Sequence, residues 1–113
     1  MTEIAERLRI ATGFAQKEHE WIGERFESLY RRLRGHEPDS VDMELSIKDR
    51  DTAEQRATLE LWVSGWPRLV ATSRKTDLSA AVTEVRDDMI RQVDDTKEKR
   101  EPNKNRHLRE PLT

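Results

Sequence analysis

The chain has no cysteine, which excludes disulfide frameworks, thiolate zinc sites and thiol catalysis. It has only four glycines, and no G-x-S-x-G, Gly-rich phosphate loop or H-E-x-x-H occurs. The usual sequence marks of hydrolases, nucleotide-binding loops and zinc proteases are therefore missing. No apolar run is long enough to span a bilayer, and Met1–Ala11 alternates charge and hydrophobe, unlike a signal or transit peptide. A soluble cytoplasmic protein is expected. Neither sign of charge dominates: 21 Lys+Arg stand against 23 Asp+Glu, a net −2, which excludes an all-round basic coat.

What is present is charge in abundance. Of 113 residues, 39% are charged and 34% apolar, a balance that leans towards disorder unless the apolar residues are periodic. The length suits one domain with one modest core. Regional charge is uneven: residues 36–55 carry −5, 56–76 carry +3, 77–95 carry −4 and 96–113 carry +3.

The apolar residues are periodic. Ile22, Phe26, Leu29 and Leu33 recur at helical spacing and predict a helix over Ala15–Arg34, closed by Arg31, Arg32 and Arg34, then Gly35 and Pro38. Val41, Met43, Leu45 and Ile47 alternate with polar residues, as do Ala57, Leu59, Leu61 and Val63, predicting two half-buried strands joined through Asp49–Glu54. Leu69–Ser73 reads as a third, shorter strand after Gly65-Trp66-Pro67. A second helix starts at the N-cap residue Asp77, carries the stripe Leu78, Val82, Val85, Met89 and Val93, and runs to about Lys99. Glu3–Ile10 alternates weakly and reads as a strand beside the sheet. The sum is an α+β fold of order β-α-β-β-β-α, an antiparallel sheet with both helices on one face, like a double-stranded RNA-binding domain. The domain is expected to occupy residues 1–100, and residues 101–113 a basic, flexible tail.

No chemistry-bearing constellation stands out. His19, His36 and His107 lie in different elements and read as exposed polar residues. Asp87-Asp88 and Asp94-Asp95 read as a solvated helix face, with Asp87 four residues before Arg91 and Asp95 four before Lys99. Neither an enzyme, a cofactor, a metal nor a small-molecule substrate is expected. Trp21 is expected at the edge of the core and Trp66 in a turn. Trp62 lies on the polar parity of its strand, hence on the open sheet face, where it can cover the sheet or pad a partner.

Two stretches carry a family resemblance. Glu20-Trp21-Ile22-Gly23-Glu24-Arg25-Phe26-Glu27-Ser28-Leu29 pairs an aromatic with a hydrophobe, then acidic residues, a basic one and a Leu. Ala71-Thr72-Ser73-Arg74-Lys75-Thr76-Asp77-Leu78-Ser79-Ala80-Ala81-Val82 leads small residues into an Asp, a hydrophobe and an Ala-Ala-hydrophobe step. With Arg91-Gln92-Val93, Lys97 and Lys99, this pattern resembles the hibernation-promoting factor / ribosome-associated inhibitor family, over roughly residues 3–100. The resemblance implies a β-α-β-β-β-α domain in the mRNA and tRNA channel of the small ribosomal subunit, blocking translation in resting or stressed cells. By position it points to Arg25, Arg31, Arg91, Lys97 and Lys99 as rRNA contacts; local charge adds Arg32, Arg34, Arg100, Lys104 and Arg106. Departures from the family pattern are Asp88, Asp94 and Asp95 at positions that tend to be basic, Ser28 where Lys is common, and Ser79 where an aromatic is common. The expected partner is the small subunit and its rRNA. The dimerisation domain of longer family members is not expected here.

Two other readings stay open on the same residues. One is a double-stranded RNA-binding domain, which wants a basic start to the second helix where this chain has Asp77-Leu78-Ser79. The other is a protein-interaction module using the open sheet face around Trp62.

Overall fold

The alternation between Val41 and Val63 is a β-hairpin. In the computed structural model, which describes residues 3–100, β2 (Val41–Lys48) pairs antiparallel with β3 (Arg56–Val63) along its whole length, Val41 opposite Val63 and Lys48 opposite Arg56. β4 (Leu69–Ser73) pairs antiparallel with β3, Ser73 opposite Ala57. The period of two puts Val41, Met43, Leu45, Ala57, Leu59, Leu61, Val63, Leu69, Ala71 and Ser73 on one face, all buried. Ile47, expected with them, is half-buried at the sheet's end.

The first segment departs from the expected strand. Ile4–Arg7 forms a 3₁₀ turn, and only Leu8–Ile10 extends as β1. β1 pairs with β2 in parallel, Leu8 opposite Met43, so the four-stranded sheet, ordered β1-β2-β3-β4, is mixed and not antiparallel. The cause is connectivity: a helical crossover between neighbouring strands returns the chain in the same direction.

The predicted first helix is broken into α1 (Gln16–Arg25) and α2 (Glu27–Arg32). Phe26 sits between them at φ −91°, ψ 9°, and its N–H is shared between the carbonyls of Ile22 and Gly23 at 3.2 and 3.3 Å. The break tightens the helix without turning its stripe away: Ile22, Phe26, Leu29 and Leu33 are all fully buried. Removing one such ring, as in Phe26→Ala, typically costs about 3–5 kcal/mol. Tyr30 is also buried, and burial, aided by the neighbouring Glu27 charge, pushes its phenol up to about 12.

The second predicted helix is α3 (Leu78–Arg100). Asp77 caps it as expected, its Oδ2 accepting the Ala80 N–H at 2.9 Å. Ala81, Val82, Val85, Met89 and Val93 are buried against the sheet and the other helices. All three helices thus share a core with one sheet face, and the other sheet face is open. Trp21 packs at the core's edge, and Trp66 packs in its turn with His36 edge-on at 5.1 Å. His19 and His36 are half-buried, not exposed as their lone positions suggested. His107 and the expected tail lie outside the described residues.

Candidate nucleic-acid interface

A phosphate-binding surface needs cations whose existing partners are weak enough to exchange. α1, α2 and the turn after α2 present Arg25, Arg31, Arg32 and Arg34, and the structure divides them. Arg25 spans to the first turns of α3, its Nη1 donating to Ser79 O at 3.2 Å, Ser79 Oγ at 3.0 Å and Thr83 Oγ1 at 2.8 Å. Its guanidinium also lies 5.0 Å from the Trp21 ring centroid. Arg86 returns the link, donating to Arg25 O at 3.2 Å. Arg25 is therefore engaged in holding α1 to α3.

The others are loosely held. Arg31 and Arg34 share Glu27 at 3.7 and 4.0 Å, and Arg32 meets Asp94 of α3 at 3.9 Å. Exposed pairs at such distances contribute about 0–1 kcal/mol each, so a phosphate can displace the carboxylate. Lys97 of α3 donates its Nζ to Arg32 O. Arg32 and Lys97 are thus brought together from two helices, with Arg31 next to Arg32 on α2 and Arg34 in the turn after it.

The rest of α3 does not gather its cations. At 3.6 residues per turn, Arg91, Lys97 and Lys99 fall on three different sides. Arg91 shares its side with the exposed Glu84, Asp87, Asp94 and Glu98. It pairs with Asp88 at 3.1 Å, not with Asp87 as its spacing suggested; Asp87 is held by Arg86 at 2.8 Å. Gln92 joins Asp88 at 3.2 Å and ties α3 to β4 through Val70 O at 2.8 Å. Lys99 is exposed near the end of α3. The side chain of Arg100, with Lys104 and Arg106, lies outside the described residues.

On the open sheet face each carboxylate projecting from the strands is matched by an arginine: Asp42 by Arg7 at 3.1 Å, Glu44 by Arg9 at 3.6 Å and Glu60 by Arg68 at 3.1 Å. Trp62 is half-buried there, with the Arg9 guanidinium 5.7 Å from its ring. Lys48, Arg56 and Arg74 are exposed on the same face. Sequence reasoning overlooked these three as a group. The signal was available in the polar parity of Lys48 and Arg56 and in the +3 charge of residues 56–76.

In the connection between β2 and β3, at the same end of the hairpin, Arg50 takes both carboxylate oxygens of Glu18, at 2.9 and 2.6 Å. These charged hydrogen bonds hold the Glu18 carboxyl down to about 2 and raise Arg50 further. Among the described residues no three His, Asp or Glu are arranged to hold a metal ion, and no helix is long and apolar enough to cross a membrane. Neither a scan of protein-family models nor a search of curated proteins found a match to the chain.

Proposed function

We propose that this chain is a ribosome hibernation factor of the hibernation-promoting factor / ribosome-associated inhibitor type. In this reading it binds the small ribosomal subunit in the mRNA and tRNA channel and inhibits translation under stress. The observation that carries the reading is the junction of β4 and α3. Residues 71–82, which bear the family resemblance, form a strand end, an Asp77 cap and a buried Ala81-Val82 step. The element order supports the reading: a short strand, a helical stretch broken at Phe26, three further strands and a long helix, with 3₁₀ turns at Ile4–Arg7 and Pro38–Ser40.

The rRNA contact is assigned to Arg31, Arg32, Arg34 and Lys97, while Lys99 falls on another side of α3. Folded RNA presents phosphates and shape more than readable base edges, and scattered cations on a rigid surface suit it. Arg91 belongs to a mainly acidic side and contributes less, and Arg25 acts through the packing of α1 on α3. The duplex-RNA reading is weaker because the start of α3 offers Asp77, Ser79 and Glu84 where basic residues are wanted.

Sedimentation with purified ribosomes at moderate salt tests the proposal. Co-migration with the small subunit is expected, weakening as salt rises. Arg32→Glu with Lys97→Glu should abolish it. Absence of co-migration by the unaltered protein at low salt would sink the proposal.

A further inference from the structure

Like charges directly opposite each other on neighbouring strands destabilise a sheet. Lys48 stands opposite Arg56. Ser73 stands opposite Ala57, so Arg74, one residue on, continues the line on the other side of Arg56. All three are exposed and line one shallow depression. None has an ion-pair partner among the described residues. The carboxylates of β2 and β3 on this face are already matched by Arg7, Arg9 and Arg68. The repulsion is therefore concentrated in one row; Asp49 and Glu54 line the same depression but form no ion pair with it.

We propose that this row binds the phosphodiester backbone of single-stranded RNA, a second RNA contact on the sheet face opposite the helices. The choice of polyanion rests on the RNA-binding function proposed above. The neighbours of the row favour that occupant. Immediately inward, Ser46, Thr58 and Thr72 stand in register across the same three strands. Their hydroxyls both donate and accept, which suits phosphate oxygens and the 2′-OH. Beyond them come Glu44 and Glu60, and at the hairpin end come Asp49 and Glu54. The cationic strip is therefore one row wide, bordered by carboxylates, and runs across the strands. A flat anionic membrane would meet the exposed Asp49 and Glu54 at the hairpin end, whereas a single strand lies along the strip. Strand spacing of about 4.8 Å makes the row a line of evenly placed charges.

The row is also held in place before binding. Gln55, at 1% exposure, donates to Lys75 O at 2.9 Å and Thr76 O at 3.2 Å, and accepts the Asp51 N–H at 2.9 Å. The turn before β3 and the segment after β4 are thereby tied together, and Arg56 and Arg74 stay side by side. Preorganisation of this kind lowers the ordering cost of binding.

The test is a titration of the isotope-labelled full chain with oligouridylate, following backbone amide shifts and the salt dependence of affinity. Expected are shifts at Ser46, Thr58 and Thr72. Each phosphate contact on a single strand contributes about 0.7 to the slope of log K against log salt. The variant Lys48→Gln/Arg56→Gln/Arg74→Gln should therefore lower that slope by about 2. Arg56→Gln alone, read by the same shifts, serves if the triple variant fails to fold. An unchanged slope, shifts confined to the helices, or equal competition by polyglutamate would each overturn the inference. Ribosome sedimentation separates the two proposals. Oligouridylate binding through the row without ribosome binding overturns only the hibernation reading; ribosome binding with an inert row overturns only this one.

Discussion

Arg50 and Glu18 form a two-pronged ion pair, with nitrogen–oxygen distances of 2.9 and 2.6 Å, between the β2–β3 connection and the first turn of α1. The same arginine donates to Gly13 O at 2.7 Å, and the same carboxylate accepts the Ala15 N–H at 2.7 Å. One side chain from the hairpin thus fixes the approach of the chain from β1 into α1.

Breaking this pair should cost stability on both sides. Arg50→Ala is expected to lower unfolding free energy by about 1–2 kcal/mol, between the range for charged hydrogen bonds and that for exposed pairs. The shift in urea midpoint measures it. The pH dependence follows from the Glu18 carboxyl being held at about 2, below its ordinary 4.5. Its folded-state value is depressed, so its contribution is complete above about pH 4.5 and is lost as pH falls towards 2. Glu18→Gln should therefore be less stable than the unaltered protein at pH 6, and the gap should close in acid.

Gly13 is required by its backbone. Its φ is +109°, and a Cβ there would come within 2.9 Å of Ile47 Cγ2. Gly13→Ala should cost about 1–3 kcal/mol. For a domain of this size, a loss of 1 kcal/mol lowers the thermal midpoint by about 4–8 °C.

Gln55 is a buried polar residue whose bonds to Asp51, Lys75 and Thr76 are all internal. Gln55→Leu leaves those backbone groups without their partner and should cost about 1–3 kcal/mol. Hydrogen exchange should locate the damage, with the Asp51 amide losing protection ahead of the β2–β3 ladder.

Arg25 and Arg31 should behave differently although both are arginines of the same helical stretch. Arg25→Ala removes the bridge to Ser79 and Thr83 and should cost about 1–2 kcal/mol. Arg31→Ala removes one exposed, loosely paired cation and should stay within about 0.5 kcal/mol. Chemical denaturation of the two variants distinguishes a packing residue from a surface one.

The legible parts of the fold were those with local causes. Alternation identified β2, β3 and β4 to within a residue, because the side-chain period of a strand is set by its own backbone. The cap at Asp77 was legible because it acts three residues along the same chain. Gln55 was not, since a single polar residue in a hairpin connection gives no periodic signal that it will be buried. The break at Phe26 was hidden too: the stripe Ile22, Phe26, Leu29, Leu33 is the same for one helix as for two closely joined ones.

The candidate site divides in the same way. Charge counts showed basic segments at 56–76 and 96–113, but not which cations share a surface. Arg25 matched the family pattern by position, yet its donors reach α3, a partner 54 to 58 residues away. Arg91 was paired with Asp87 by spacing, whereas Arg86 takes Asp87 and Arg91 meets Asp88.

The amino-acid sequence by itself determined an α+β chain with one buried sheet face, amphipathic helices and a patchwork of charge, since each of these depends on residues a few positions apart. Only the tertiary structure decided that β1 runs parallel to β2, that Arg32 and Lys97 meet, and that Lys48, Arg56 and Arg74 stand in one row with no ion-pair partner among the described residues. The reason is register: which charges become neighbours across strands and helices depends on how distant segments align, and a near-neutral total carries no trace of that alignment.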